Sequence, residues 1–95
     1  MATVYITEFA QGGGVNTLAP MPSTTDQTVA ISGASVQSAA FAATTNLIRV
    51  HTDAVCSIFI GLVPTATAAK TRMTANQTEY FSVVGGHKIA VITNT

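Results

Sequence analysis

A histidine, an aspartate and a cysteine lie within six positions of one another in the stretch HTDAVCSIFIG, residues 51–61. His51, Asp53 and Cys56 are the residue types of a thiol nucleophile with its base and its orienting group. This chemistry requires the imidazole within hydrogen-bond reach of the sulfur. The strands that carry the three residues therefore decide whether the chemistry is available.

Two strands joined by a tight turn are the predicted setting of this stretch. Apolar and polar residues alternate in NLIRVH and in VCSIFI, as in half-buried strands. A three-residue turn, 52–54, gives an apolar face that carries Ile48, Val50, Cys56 and Ile58. In that register His51 points to the other face, and Asp53 accepts backbone N–H bonds in the turn. We therefore expect a cysteine of the core and no enzyme.

Other residues that could hold a cofactor lack the necessary spacing. His51 and His87, with Asp53 or Glu79, show no metal-ligand pattern, and the single cysteine excludes a structural zinc motif of several cysteines. The glycines at 12–14 are not followed by the GK[ST] of a phosphate-binding loop. We expect neither a metal nor another cofactor.

Charge is scarce in this sequence. Its 95 residues, enough for one domain, hold four basic and four acidic side chains and no net charge. Nucleic acid is an unexpected partner, because phosphate binding needs several converging cations. A surface with so little charge is explained either by a protein partner that covers part of it or by a surface that merely tolerates few charges.

MATVYITEFA lacks the basic region of a signal peptide, and the longest apolar run reaches about half of the ~20 residues of a membrane span. We expect no membrane segment.

The alternation predicts an all-β fold. Strands are expected at 3–9, 27–32, 35–41, 46–51, 55–62, 78–83 and 88–94, with a short helix as the alternative around 35–41. Seven or eight strands of this length favour a small two-sheet antiparallel sandwich, with a jelly roll as one form of it. The predicted core comprises Val29, Ile31, Ile48, Val50, Cys56, Ile58, Ile60, Phe81, Val83, Ile89 and Val91.

The single domain divides into an N-terminal strand or arm (1–10), a linker (11–26) and a sandwich body (27–95). The linker QGGGVNTLAPMPSTTD is rich in glycine, proline and small polar residues. We expect it to let the first strand pair away from a body that folds without it. Residues 63–77 are predicted as a loop between sheets, and 81–83 with 87–91 as a second hairpin with an odd-length glycine turn.

Three segments carry a family resemblance: VYITEFA, IRVHTDAVCSIFIGLVPTATA and ANQTEYFSVVGGHKIAVIT. Together they resemble small β-sandwich virion proteins of tailed bacteriophages, encoded beside major capsid genes. The resemblance covers residues 3–9 and roughly 46–93, about half of the chain. It implies a structural role without catalytic residues: decorating or cementing the capsid exterior by binding between major capsid subunits, after synthesis in the host cytoplasm.

The resemblance implies two kinds of contact, with the major capsid protein and with further copies in a dimer or trimer. An extended strand with unpaired backbone groups can add to the edge of a neighbouring subunit. We therefore expect the interface to include Val4, Tyr5, Ile6 and Phe9. Two rivals stay open: another virion part, such as a tail, neck or head-fibre module, and a small carbohydrate-binding module. The second would use exposed aromatic residues, Tyr80 first and then Tyr5 and Phe59.

Overall fold

A computed structural model describes residues 2–10 and 25–94 of the chain. This part is all-β and contains no helix, so it has no helix that could span a membrane. Eight strands form two four-stranded antiparallel sheets, which confirms the predicted sandwich. The strands are β1 (Thr3–Phe9), β2 (Thr25–Ala30), β3 (Val36–Gln37), β4 (Leu47–Thr52), β5 (Cys56–Gly61), β6 (Thr71–Met73), β7 (Thr78–Ser82) and β8 (Lys88–Thr93).

The strand pairs are nested. Sheet A has the order β2-β1-β4-β7, and sheet B has the order β3-β8-β5-β6. The pairs β5·β6, β4·β7 and β3·β8 enclose one another around the connection 62–70, as in a long hairpin rolled onto itself. This nested pairing of eight strands is that of a jelly roll. β1, paired with β2, occupies the place where a strand after β8 would complete the roll.

Both predicted hairpins are wrong in their pairing. β4 and β5 lie in different sheets, and so do β7 and β8, so the turns 53–55 and 83–87 cross from one sheet to the other. The predicted faces nevertheless hold, because Ile48, Val50, Cys56 and Ile58 all point into the space between the sheets. An apolar face meets its counterpart equally well across a sandwich or beside it in one sheet, so alternation alone could not separate the two arrangements.

The N-terminal strand is the second correction. β1 lies inside sheet A, with β2 along one edge and β4 along the other, so neither edge is open to a neighbouring subunit. Its Val4 and Ile6 side chains belong to the core, so the rest of the sandwich is incomplete without it. Thr25 and Asp26 of the predicted linker are part of β2, and residues 11–24 lie outside the described residues.

The predicted core is confirmed in position. Eight of its residues are buried, and Ile60, Phe81 and Val83 pack partly buried against them. Four core members were not predicted: Val4 and Ile6 because β1 was assigned to an interface, Met73 because 63–77 was predicted as a loop, and Phe41 at the end of the predicted strand 35–41. Of that predicted strand, the structure has only Val36–Gln37 as β3. Met73 belongs to β6, a three-residue strand within the predicted loop 63–77.

One crossing segment joins the sheets at the end of the sandwich where β4 begins. Residues 38–46 run from β3 in sheet B to β4 in sheet A, and the Phe41 N–H donates to the His87 carbonyl (2.8 Å). Gly85 lies against the backbone of this segment. A Cβ atom at Gly85 would fall 2.7 Å from the carbonyl carbon of Ala43 and 2.8 Å from the carbonyl oxygen of Ala42. Only glycine permits this approach.

Gly85→Ala should therefore destabilise the fold by about 1–3 kcal/mol, because the methyl group must displace backbone rather than a flexible side chain. Gly33→Ala is the matched control, since a Cβ atom there meets nothing within 4 Å. Urea unfolding followed by circular dichroism measures both variants. Equal stabilities of the two would show that the close contact at Gly85 is absent.

Candidate functional site

Cys56 and His51 lie in different surroundings. Cys56 is fully buried, and its Sγ donates a 3.5 Å hydrogen bond to Thr52 Oγ1. Burial raises the pKa of the Cys56 thiol, and the hydrogen bond to Thr52 opposes this effect. The His51 Nδ1 instead lies 2.7 Å from Thr78 Oγ1, on the outer face of sheet A. The predicted inward cysteine is confirmed, and the histidine is not placed to act as its base.

The turn after β4 is organised by Thr52. The Thr52 hydroxyl accepts the Ala54 N–H (3.3 Å) and donates to the Ala54 carbonyl (2.6 Å). This is the local role that the sequence analysis gave to Asp53, whose side chain is exposed. Within residues 2–10 and 25–94, no three His, Cys, Asp or Glu side chains gather in a way that could hold a metal ion.

The outer face of sheet B is covered by its own chain. Residues 62–70 cross this face and are held there by three hydrogen bonds: Gln37 Nε2 to the Pro64 carbonyl (2.7 Å), the Ala66 N–H to Ser35 Oγ (2.9 Å) and Asn94 Nδ2 to the Ala68 carbonyl (3.3 Å). Ser57 and Ala90, which point outward from the sheet, are fully buried in consequence. Sheet B is therefore buried on both faces over much of its area.

The outer face of sheet A is different, since burial alternates along β4 and along most of β1. Such alternation marks a sheet with one face in the core and one in contact with solvent. Two cross-strand rows lie on this open face. The first contains Thr28, Tyr5, His51 and Thr78, and the second contains Asp26, Thr7, Arg49 and Tyr80.

A groove of about 460 Å³ runs over β1 on the open face. Thr7 forms its floor, between Asp26 of β2 and Arg49 of β4. At one end stand the rings of Tyr5 and His51, with centroids 6.4 Å apart and planes tilted by 42°. The groove thus combines an aromatic wall with a carboxylate, a guanidinium and a hydroxyl.

A second exposed surface lies at the end of the sandwich where β5 stops and β8 starts. Gly61 pairs with Lys88, so the residues after β5 and those before β8 leave the sheet at this end. They include Leu62 (65% exposed), Val63 (79%) and Val84 (61%). We call these three residues the apolar end. Several large apolar side chains left in water at one end of a domain point to a protein contact there.

The four residues expected at an interface are divided by the structure. Val4, Ile6 and Phe9 are buried, whereas Tyr5 is 43% exposed and lines the groove. Tyr80 shares the open face with Tyr5, and Phe59 lies on the opposite sheet with Lys70 Nζ 4.5 Å from its ring centroid. The groove could not be predicted from the sequence, because it needs β2, β1 and β4 side by side. Only the alternation of Tyr5, Thr7, Arg49 and His51 pointed to it.

A buried carboxylate joins strands β1 and β2 to the crossing segment 38–46. Glu8 is fully buried in β1, and its Oε1 accepts the Ala42 N–H (2.9 Å) and the Thr45 hydroxyl (2.8 Å). Its Oε2 accepts Gln27 Nε2 (3.0 Å). Gln27 in turn accepts the Ala39 N–H through Oε1 (3.1 Å). Three donors converge on an acceptor-only group, which satisfies the carboxylate inside the protein.

Glu8→Gln should destabilise the protein by about 1–3 kcal/mol, because the amide N–H₂ replaces a carboxylate oxygen that accepts a hydrogen bond. The new N–H₂ then faces another hydrogen-bond donor. Gln27 could turn its own amide to accept it only by giving up its bond from Ala39. The matched control is Glu79→Gln, since Glu79 is exposed and this change should stay within about 0.5 kcal/mol. Urea unfolding followed by tyrosine fluorescence compares the two; equal effects would contradict the role of Glu8.

The raised pKa of Cys56 has a consequence at alkaline pH. The unfolded thiol ionises near its ordinary value of 9.0, whereas the folded thiol keeps its proton to higher pH. Its contribution to stability is therefore complete below pH 9 and decreases above it. Between pH 8 and 10, the wild type should lose more unfolding free energy than Cys56→Ala does. Parallel pH profiles of the two proteins would show that the thiol ionises equally in both states.

Comparison with protein-family models, with curated proteins and with solved structures gives no match to this chain. A function for this chain is therefore a proposal from its two exposed surfaces and from the resemblance stated for its sequence.

Proposed function

We propose that the protein is a non-enzymatic structural component of a bacteriophage virion that decorates or cements the capsid shell. In this role it binds on the capsid exterior between major capsid subunits, as a dimer or trimer. The observation that carries the proposal is the apolar end, three large aliphatic side chains exposed at the same end of the sandwich on a protein with few charges. The segments that resemble virion proteins include all three: Leu62, Val63 and Val84.

The apolar end suits a lasting protein contact for two reasons. Protein interfaces have an apolar centre from which charged residues are depleted, and the side chains here are aliphatic. The supporting backbone is also firm, because Gly61 pairs with Lys88 and the His87 N–H donates to the Val84 carbonyl (3.1 Å). A rigid surface loses little conformational entropy when it docks.

Docking through this end replaces the strand-addition mechanism that the sequence suggested. β1 is paired along both edges, so Val4, Ile6 and Phe9 contribute to the fold instead of contacting a capsid subunit. The edge strands β2 and β7 of sheet A, and β3 and β6 of sheet B, are the ones that could still extend a sheet. The alternative is another virion part, a tail, neck or head-fibre module, with the same docking end.

The test uses purified particles of the phage whose genome encodes the chain. The variants Leu62→Ser and Val63→Thr/Val84→Thr should each bind particles at least about tenfold more weakly, because about 1.5–3 kcal/mol is gained when a Leu or Val side chain is buried. Tyr80→Ser is the matched control: its side chain is also exposed (54%) but lies on the open face. Occupancy is measured by quantitative gel densitometry of sedimented particles.

Unchanged occupancy of both apolar-end variants would contradict docking through this surface. Electron microscopy of particles carrying a labelled copy distinguishes the alternative. Label spread over the head supports decoration, and label confined to the tail or neck supports the other virion part. Failure to bind any part of the particle would overturn both.

A further inference from the structure

We infer that the groove on the open face is a binding site for a saccharide, separate from the apolar end. The inference rests on the chemistry that the groove presents and not on the capsid role. Its volume of about 460 Å³ falls within the range of small-molecule sites, about 300–1,000 Å³.

The aromatic wall fits one side of a sugar ring. A pyranose has an apolar face made of C–H groups, which packs against the face of an aromatic ring. Tyr5 is half exposed at the groove, and its ring is braced by His51, which is itself fixed by the contact of its Nδ1 with Thr78 Oγ1 (2.7 Å). Aromatic side chains held in this way supply contact area at low entropic cost.

The polar floor fits the edge of a sugar ring. Neighbouring hydroxyl groups of a sugar both donate and accept hydrogen bonds. Across Thr7, the groove offers the Asp26 carboxylate as acceptor on β2 and the Arg49 guanidinium as donor on β4. The hydroxyls of Thr7 and Thr28 do both. A ligand that presents hydrogen-bond donors and acceptors side by side therefore finds complementary groups along the groove.

The same charges disfavour other ligands. Arg49 is the only lysine or arginine among the residues that line the groove, and it faces Asp26 across Thr7, so a phosphate group would meet a carboxylate. A nucleic acid strand would need several cations. An apolar peptide side chain would cover the Arg49 guanidinium without offering it a hydrogen bond when water is removed. A neutral or amino sugar avoids each of these costs.

The inference is tested on the intact protein with a glycan array that contains neutral, amino and sialylated oligosaccharides. Saturation-transfer NMR with the glycans that bind then gives affinities. Two variants probe the groove: Tyr5→Thr removes the ring but keeps a good strand residue, and Asp26→Asn removes the charge at an exposed position. Each variant should weaken glycan binding at least about tenfold, which corresponds to the loss of a contact worth about 1.4 kcal/mol.

The control is Tyr80→Ser, which lies on the same face outside the groove and should bind like the wild type. Melting temperatures of all variants exclude loss of fold as the cause. Absence of binding to every glycan at millimolar concentration would overturn the inference, and so would binding that is lost with Tyr80→Ser but kept with Tyr5→Thr. The variants at the apolar end should retain glycan binding, so failure of the capsid role and failure of this site give different results.

Discussion

The hydrogen bonds that converge on the Glu8 carboxylate hold the two sheets in their arrangement at one end. A jelly roll must pass its chain repeatedly from one sheet to the other, and each passage exposes backbone groups that no strand pairs. In the segment 38–46, Glu8 accepts the N–H of Ala42, and Gln27 accepts the N–H of Ala39. A charged group is costly to bury, so its satisfaction by three donors, from β2 and from the crossing segment itself, favours one register of that crossing over others.

How much of the fold could be predicted depends on the sequence separation of the residues that each feature brings together. A two-residue period is a local property, so the strands and the inward face were visible in residues such as Ile48 and Val50. Pairing in the nested roll depends on contacts between distant segments, for example β4 with β7 and β3 with β8. Adjacent strands were therefore assigned to hairpins that do not exist. A short turn such as 53–55 is compatible with both arrangements, since it either returns in the same sheet or crosses to the other.

The surfaces could be predicted even less. Alternation in β4 placed Arg49 and His51 outside, but their neighbours Tyr5 and Asp26 come from strands whose position in the sheet was not visible. The glycine-rich segment 11–26 suggested a tethered arm, because composition reports how a connection behaves and not what its ends pair with. Likewise, small residues such as Ala66 and Pro64 gave no signal that they cover the outer face of sheet B, although both are buried there.

The covering of sheet B leaves the molecule with two unlike surfaces. The loop 62–70 begins at the apolar end and then lies over sheet B, so the same segment exposes Leu62 and Val63 and protects Ser57. Sheet A has no comparable cover in the described residues over β1 and β4, and there polar and aromatic side chains form the groove. Because the two surfaces lie on different elements, a bound protein at the end would not by itself occlude the face. A small sandwich built in this way can be fixed to one partner and still present a groove to another.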